Sequence, residues 1–152
     1  ARGLGTGKLN PRKGNEMDIR KFAVTPIGRL HLRDASDELM YADDAKKKPI
    51  AVNLYGPGSK QYAAATAAQQ NRVIDKLKRK GKADQTADQK IAETAEFLAE
   101  CTASFENLEY DSMSGADLAK AVYADQTLGF IADQIGKFLG DWGNFSSGST
   151  KS

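Results

Sequence analysis

Ile50-Ala51-Val52-Asn53-Leu54-Tyr55-Gly56-Pro57-Gly58-Ser59 sets two structural regimes side by side. Ile50, Val52 and Leu54 alternate with small or polar neighbours, the period of a half-buried strand. Gly56-Pro57-Gly58 then places a φ fixed near −65° between two residues free to take φ > 0, so the chain turns there. Ser59 can accept a hydrogen bond from an amide of the following turn, which makes it the N-cap of the Ala-rich segment that continues to Leu77. A strand, a tight turn and a capped helix follow one another without a linker.

Upstream of this unit the pattern is short and β-prone. Phe22, Val24, Ile27, Leu30 and Leu32 form two runs separated by Thr25-Pro26. Leu30-His31-Leu32-Arg33-Asp34 alternates apolar with polar, which predicts His31 on the solvent face. Residues 34–37 read as a turn, 38–42 as a further short strand carrying Leu39 and Tyr41, and 43–48 as a charged loop. Strands in such close succession imply an antiparallel sheet or meander. Asp34, Asp37, Asp43 and Asp44 lack the ligand spacing and central Gly of a calcium loop and read as solvated loop residues.

Downstream the period becomes helical. Residues 60–80 carry a stripe of Tyr62, Ala65 or Thr66, Gln69, Val73 and Leu77, mostly small, suited to close packing on the sheet or on another copy of the chain. Lys76, Lys78, Arg79, Lys80 and Lys82 cluster at its end, where cations complement the partial negative charge of a helix C-terminus. No aromatic residue interleaves with them for base stacking. Thr86 and Gln89 have capping-box spacing, and Ile91, Thr94 or Ala95, Leu98, Cys101 or Thr102, and Phe105 extend a second helix. Residues 105–111 look extended, 112–115 turn, and 116–124 form a short helix. A last helix carries Leu128, Ile131, Ile135, Phe138, Leu139 and Trp142, with Phe145 one step beyond and Phe130 off the stripe.

The expected fold class is α+β, a small antiparallel sheet from the N-terminal third followed by three or four helices. Residues 17–145 form one domain, between a disordered extension or tag (1–16), rich in Gly and basic residues, and a polar disordered tail (146–152). Gly3, Gly5, Gly7 and Lys8 follow no strand and lack phosphate-loop spacing. The formal charge is +2; the first sixteen residues hold four cations against Glu16, which leaves the remainder at −1. A near-neutral body gives weak support for nucleic-acid binding. One cysteine excludes an intrachain disulfide, and one histidine disfavours a multi-ligand zinc site. With no secretory signal and no apolar run near the ~20 residues that span a bilayer, the expected location is the cytoplasm and no membrane is engaged. No Ser/His/Asp order, paired-carboxylate motif or phosphate loop is present, so the expectation is a non-enzyme with no cofactor and no metal.

Three pieces, read in order, resemble the tail assembly chaperones of long-tailed bacteriophages. They are Val52-Asn53-Leu54-Tyr55-Gly56-Pro57-Gly58-Ser59-Lys60-Gln61-Tyr62; Leu98-Ala99-Glu100-Cys101-Thr102-Ala103-Ser104-Phe105-Glu106-Asn107-Leu108; and Ile131-Ala132-Asp133-Gln134-Ile135-Gly136-Lys137-Phe138-Leu139-Gly140-Asp141-Trp142-Gly143-Asn144-Phe145. The resemblance covers roughly residues 21–145 and departs from many relatives in the charged 43–48 loop. It implies a protein of the bacterial host cytoplasm that keeps the helical tape measure protein soluble, with the tail tube protein as a further candidate partner. Such proteins are generally absent from the finished virion, and some have a longer frameshifted product. It further implies partner contacts, with homo-oligomerisation, through Tyr62, Val73 and Leu77 of the first helix and Phe130, Phe138, Trp142 and Phe145 near the end. Two other readings remain open: a virion tail component, tube-associated or completing the tail, and a small nucleic-acid-binding regulator using the basic cluster.

Overall fold

The computed structural model describes residues 16–81 and 86–146. Of the expected extension (1–16) and tail (146–152), residues 1–15 and 147–152 lie outside the described residues, as do 82–85; Ser146 is described and bridges to Val24. Three strands, β1 (Ile27–His31), β2 (Ala51–Tyr55) and β3 (Thr102–Glu106), form an antiparallel sheet in the order β1-β2-β3. Four α-helices accompany it: α1 (Lys60–Lys80), α2 (Ala87–Glu100), α3 (Gly115–Ala124) and α4 (Gly129–Leu139). The fold class is α+β, as the alternation of periods implies.

β2 is central, and its alternating side chains explain why. Leu30 pairs with Val52 and Gly28 with Leu54 on one side. On the other, Val52 pairs with Phe105 and Leu54 with Thr102, across an irregularity between Asn53 and Leu54. Val52 and Leu54 are fully buried and share the core with Leu32, Leu98, Val122, Ile135 and Phe145. The helices begin where their caps demand. Ser59 Oγ accepts from the Tyr62 amide at 3.0 Å and donates to Gly56 O at 2.7 Å, joining the turn to α1. Thr86 and Gln89 close a reciprocal capping box at the start of α2. Gly81 ends α1 at φ +73, its amide reaching Leu77 O, a left-handed cap that glycine adopts without a Cβ penalty.

Several local expectations are corrected. α2 ends at Glu100 instead of running on through Phe105, because the next five residues take the free edge of β2, with the Tyr55 amide donating to Cys101 O at 2.7 Å. The extended segment therefore starts at Thr102 and not at Phe105. Residues 38–42 are no strand of the sheet: they make only the single bridges Arg33↔Leu39 and Tyr41↔Pro49, between tight turns with Asp37 and Lys46 at positive φ. Residues 19–22 form a 3-10 turn, and Val24 makes one bridge, to Ser146.

His31 is buried and not solvent-facing. The 38–42 segment folds over it: Nε2 lies 2.8 Å from Met40 O, and the ring meets Tyr41 edge-on at 4.9 Å. Both faces of β1 are thus covered near its end, which defeats the one-sided alternation. The last helix also stops early. α4 ends at Leu139, Gly140 follows, and Trp142–Phe145 is a separate 3-10 turn capped by Asp141. Among the described residues, no helix is long and apolar enough to cross a membrane.

Candidate partner-binding surfaces

The candidate residues divide into three groups once folded. Phe138 and Phe145 belong to the core and offer no docking surface. Their rings meet at 5.2 Å, tilted by 66°, and Phe145 fills space that two glycines leave open. A Cβ on Gly56 would lie 2.3 Å from the Phe145 ring and one on Gly28 would lie 2.8 Å from it. The backbone fixes the same contact. Phe145 O accepts from the Thr25 amide at 2.7 Å and from Thr25 Oγ1 at 3.0 Å, while Asn144 Nδ2 donates to Phe138 O at 3.0 Å. The end of the described chain is therefore a latch that holds β1 and the Gly-Pro-Gly turn together. The family resemblance implies Phe145 as a partner contact; the meeting of Gly28 with Gly56 shows it filling a socket instead.

Trp142 remains exposed beside this latch, at 58%. It lies against the turn together with Val24: a Cβ on Gly58 would sit 2.7 Å from Val24 Cγ2 and 3.8 Å from Trp142 Cζ3. The 3-10 turn just before Val24 exposes Ile19 and Phe22 at 77% and 68%. Those two were not among the sequence candidates, since residues 19–22 have too few positions to show a period. Phe130 is half-buried on the opposite flank of α4, beside a cleft of about 260 Å³ that Arg33, Asp34 and Lys137 also line. Gln134 closes that flank, accepting from the Arg33 amide and donating to Arg33 O, both at 2.8 Å. The structure does not bring Phe130 together with Trp142.

The α1 candidates are split as well. Tyr62 turns toward α2 and meets Phe97 at 5.8 Å, nearly edge-on. Val73 and Leu77 stand on the outer flank with Ile74, all three exposed. Arg72 and Lys76 hold α1 to α2: Arg72 Nη1 is 3.5 Å from Glu96 and 4.0 Å from Glu100, and Lys76 Nζ is 3.1 Å from Glu93. Lys76 is thereby withdrawn from the basic cluster, while Lys78 and Arg79 stay exposed. Arg72 Nε and Nη2 are buried with no hydrogen-bond partner among the described residues.

The acidic loops carry turn chemistry. Asp34 Oδ1 accepts from the Ser36 and Glu38 amides, and the Asp43 carboxylate accepts from those of Lys47 and Lys48. Among the described residues no group of three or more His, Cys, Asp or Glu is placed to hold a metal ion. Cys101 is buried, and that burial, with Glu100 beside it, pushes its thiol up to about 12. Burial likewise raises Tyr123, whose hydroxyl lies 2.6 Å from that of Thr102 and ties α3 to β3. A groove of about 560 Å³ runs between α2 and α4, lined by Ile91, Thr94, Asp125, Gly129 and Ala132 among others. Its walls come from three separate segments, so no sequence motif announces it.

No family model, no curated protein and no solved structure matches this chain.

Proposed function

We propose that this chain is a tail assembly chaperone of a long-tailed bacteriophage, acting in the host cytoplasm. It binds the tape measure protein, keeps that protein soluble while the tail tube polymerises, and leaves before the particle is finished. The observation that carries this reading is the exposure of Trp142 beside the latch and of Ile19 and Phe22 in the 3-10 turn that leads to Val24. Large aromatic and aliphatic side chains left in water beside a closed core mark a protein-binding site. A tape measure protein offers long apolar helical faces, and a helix laid across such a patch is a recurrent mode of recognition. The order of the strand-turn-helix, the α2–β3 junction and the Gly-Asp-Trp-Gly-Asn-Phe ending supports assigning the client to that family of assembly factors.

Co-expression with a tape measure protein of a long-tailed bacteriophage tests the assignment. The expected result is a soluble complex that survives purification, together with absence of this chain from purified particles by mass spectrometry. Stoichiometric presence in mature particles would make it a tail component instead. Failure to keep the tape measure protein soluble would remove the chaperone role.

A further inference from the structure

The two outer strands of the sheet are finished differently. The Gly56 amide donates to Pro26 O at 2.8 Å and the Leu32 amide to Ile50 O at 2.9 Å, so the even-numbered residues of β2 bond toward β1. The Tyr55 amide donates to Cys101 O at 2.7 Å, so the odd-numbered ones bond toward β3. Beside β1 the open side is covered at both ends. The Thr25 amide reaches Phe145 O at 2.7 Å, and Gln134 takes up both the amide and the carbonyl of Arg33. β3 has no such cover. The partners of Leu54 and Val52 on it are Thr102 and Phe105, which therefore turn amide and carbonyl away from β2. Among the described residues no strand lies beyond them, and Thr102–Glu106 makes no backbone hydrogen bond outside its pairing with β2. Ala103 is an extra residue in the register and stands exposed with Ser104.

A groove of about 500 Å³ lies between β3 and the start of α3, lined by Ala103, Phe105, Leu108, Met113, Ala116 and Leu118 among others. We propose that β3 accepts an extended, lysine- or arginine-rich segment of another protein, which adds as a fourth strand and lays alternate side chains in this groove. Charge selects the occupant. From Ala99 to Ala119 the chain holds Glu100, Glu106, Glu109, Asp111 and Asp117 and no lysine or arginine. Arg29 binds Glu106, and Arg72 lies 4.0 Å from Glu100. Glu109, Asp111 and Asp117 are exposed and make no ion pair among the described residues. Such an edge draws in a cationic strand and rejects an acidic one. Small apolar residues at alternate positions suit the groove, where Tyr123 backs the Phe105 ring at 5.9 Å. The edge takes only a short strand, because the extra residue sets Thr102 and Phe105 three positions apart and Asn107 leaves the strand at φ +61. The same irregularity discourages edge-to-edge pairing of copies.

So short an edge offers little main-chain bonding, and the association is weak, roughly micromolar or weaker. It uses neither Trp142 nor an apolar client helix, so it stands or falls separately from the tape measure assignment. The probe is a fluorescein-labelled synthetic peptide of alternating lysine and valine, about six residues long, with the glutamate–valine peptide as control. Fluorescence anisotropy with the full chain should show binding of the lysine peptide that weakens with salt. The glutamate peptide should bind at least about tenfold more weakly. On binding, hydrogen exchange at the Thr102 and Phe105 amides should slow, while that at Asn53, already turned to β3, stays as it was. Glu109→Lys with Asp117→Lys should weaken binding at least about tenfold with the fold intact by circular dichroism. Ala116→Trp, at an exposed position of the groove, should weaken it without any change of charge. Absence of binding, equal binding of the two peptides, or indifference to Ala116→Trp overturns the proposal, as does binding that leaves the Thr102 and Phe105 amides unprotected. Protection of those amides in the concentrated free chain, through pairing of copies, overturns it too.

Discussion

The base of the molecule and the α1–α2 hairpin are held together in different ways. At the base, Thr25, Gly28, Gly56 and Asn144 come from distant parts of the chain and close around Phe145. Shape decides the fit, because the ring occupies the space where two side chains would begin. In the hairpin, neighbouring helices are tied by Arg72 and Lys76 to glutamates of α2, and one flank of α1 stays apolar and open. A tightly packed interior tolerates little change, whereas the ion pairs of Arg72 leave Glu96 and Glu100 partly in water, and a partly buried charge contributes little net stability once its desolvation is counted. The base is therefore the more tightly packed part, and exposed apolar side chains lie at its rim and along the hairpin.

Phe145→Ala should break the base most severely, at about 3–5 kcal/mol by chemical denaturation, the usual range for emptying a buried aromatic site. Gly56→Ala should cost less, about 1–3 kcal/mol from overpacking against the ring. The two should not add: with Phe145 already truncated, the Gly56→Ala penalty should shrink, and full additivity would show that the ring and the turn are not in contact.

The hairpin should respond more gently. Arg72→Met should lie within about 1 kcal/mol of neutral, since the guanidinium has two buried nitrogens without partners among the described residues and removing a partly buried charge offsets the lost ion pair. A loss near that of Phe145→Ala would contradict the contrast.

Smallest of all is a pH effect in the sheet. Arg29 donates to both Glu106 oxygens at 3.0 and 3.1 Å, and Asn53 adds a bond at 2.9 Å, so the Glu106 carboxyl is held below its ordinary range, chiefly by Arg29. Stability from this pair is present above the unfolded carboxylate range and is lost as pH falls toward the lowered folded value. Both side chains are more than a third exposed, which limits the loss to under about 1 kcal/mol. Arg29→Met should remove most of this part of the acid dependence in thermal melts taken between neutral and acidic pH.

Local chemistry was legible wherever neighbouring residues decide the structure. Ser59, Gly81 and the Thr86–Gln89 box mark helix ends through bonds within a few positions, and the alternation from Ile50 to Leu54 marks the central strand. What depends on distant contacts could not be read. The helical spacing from Ile91 to Phe105 is real, yet Thr102–Glu106 pairs with β2, because filling a sheet edge outweighs local propensity. His31 sits at a solvent-facing position of an alternating run and is covered by a loop ten residues away. Of the partner contacts that the resemblance implies, Val73, Leu77 and Trp142 are exposed. Sequence could not separate them from Phe138 and Phe145, since an aromatic on a helical stripe reads alike whether it meets a core or a partner.

Binding of the tape measure protein by Trp142→Ala, beside the unaltered chain, tests the central claim most directly. Trp142 lies on the outside of the latch and Phe145 within it, so the variant should keep the denaturation midpoint of the parent while losing at least about tenfold in affinity, as truncation of an aromatic anchor does. A folded Trp142→Ala chain that holds the tape measure protein as tightly as the parent would contradict it.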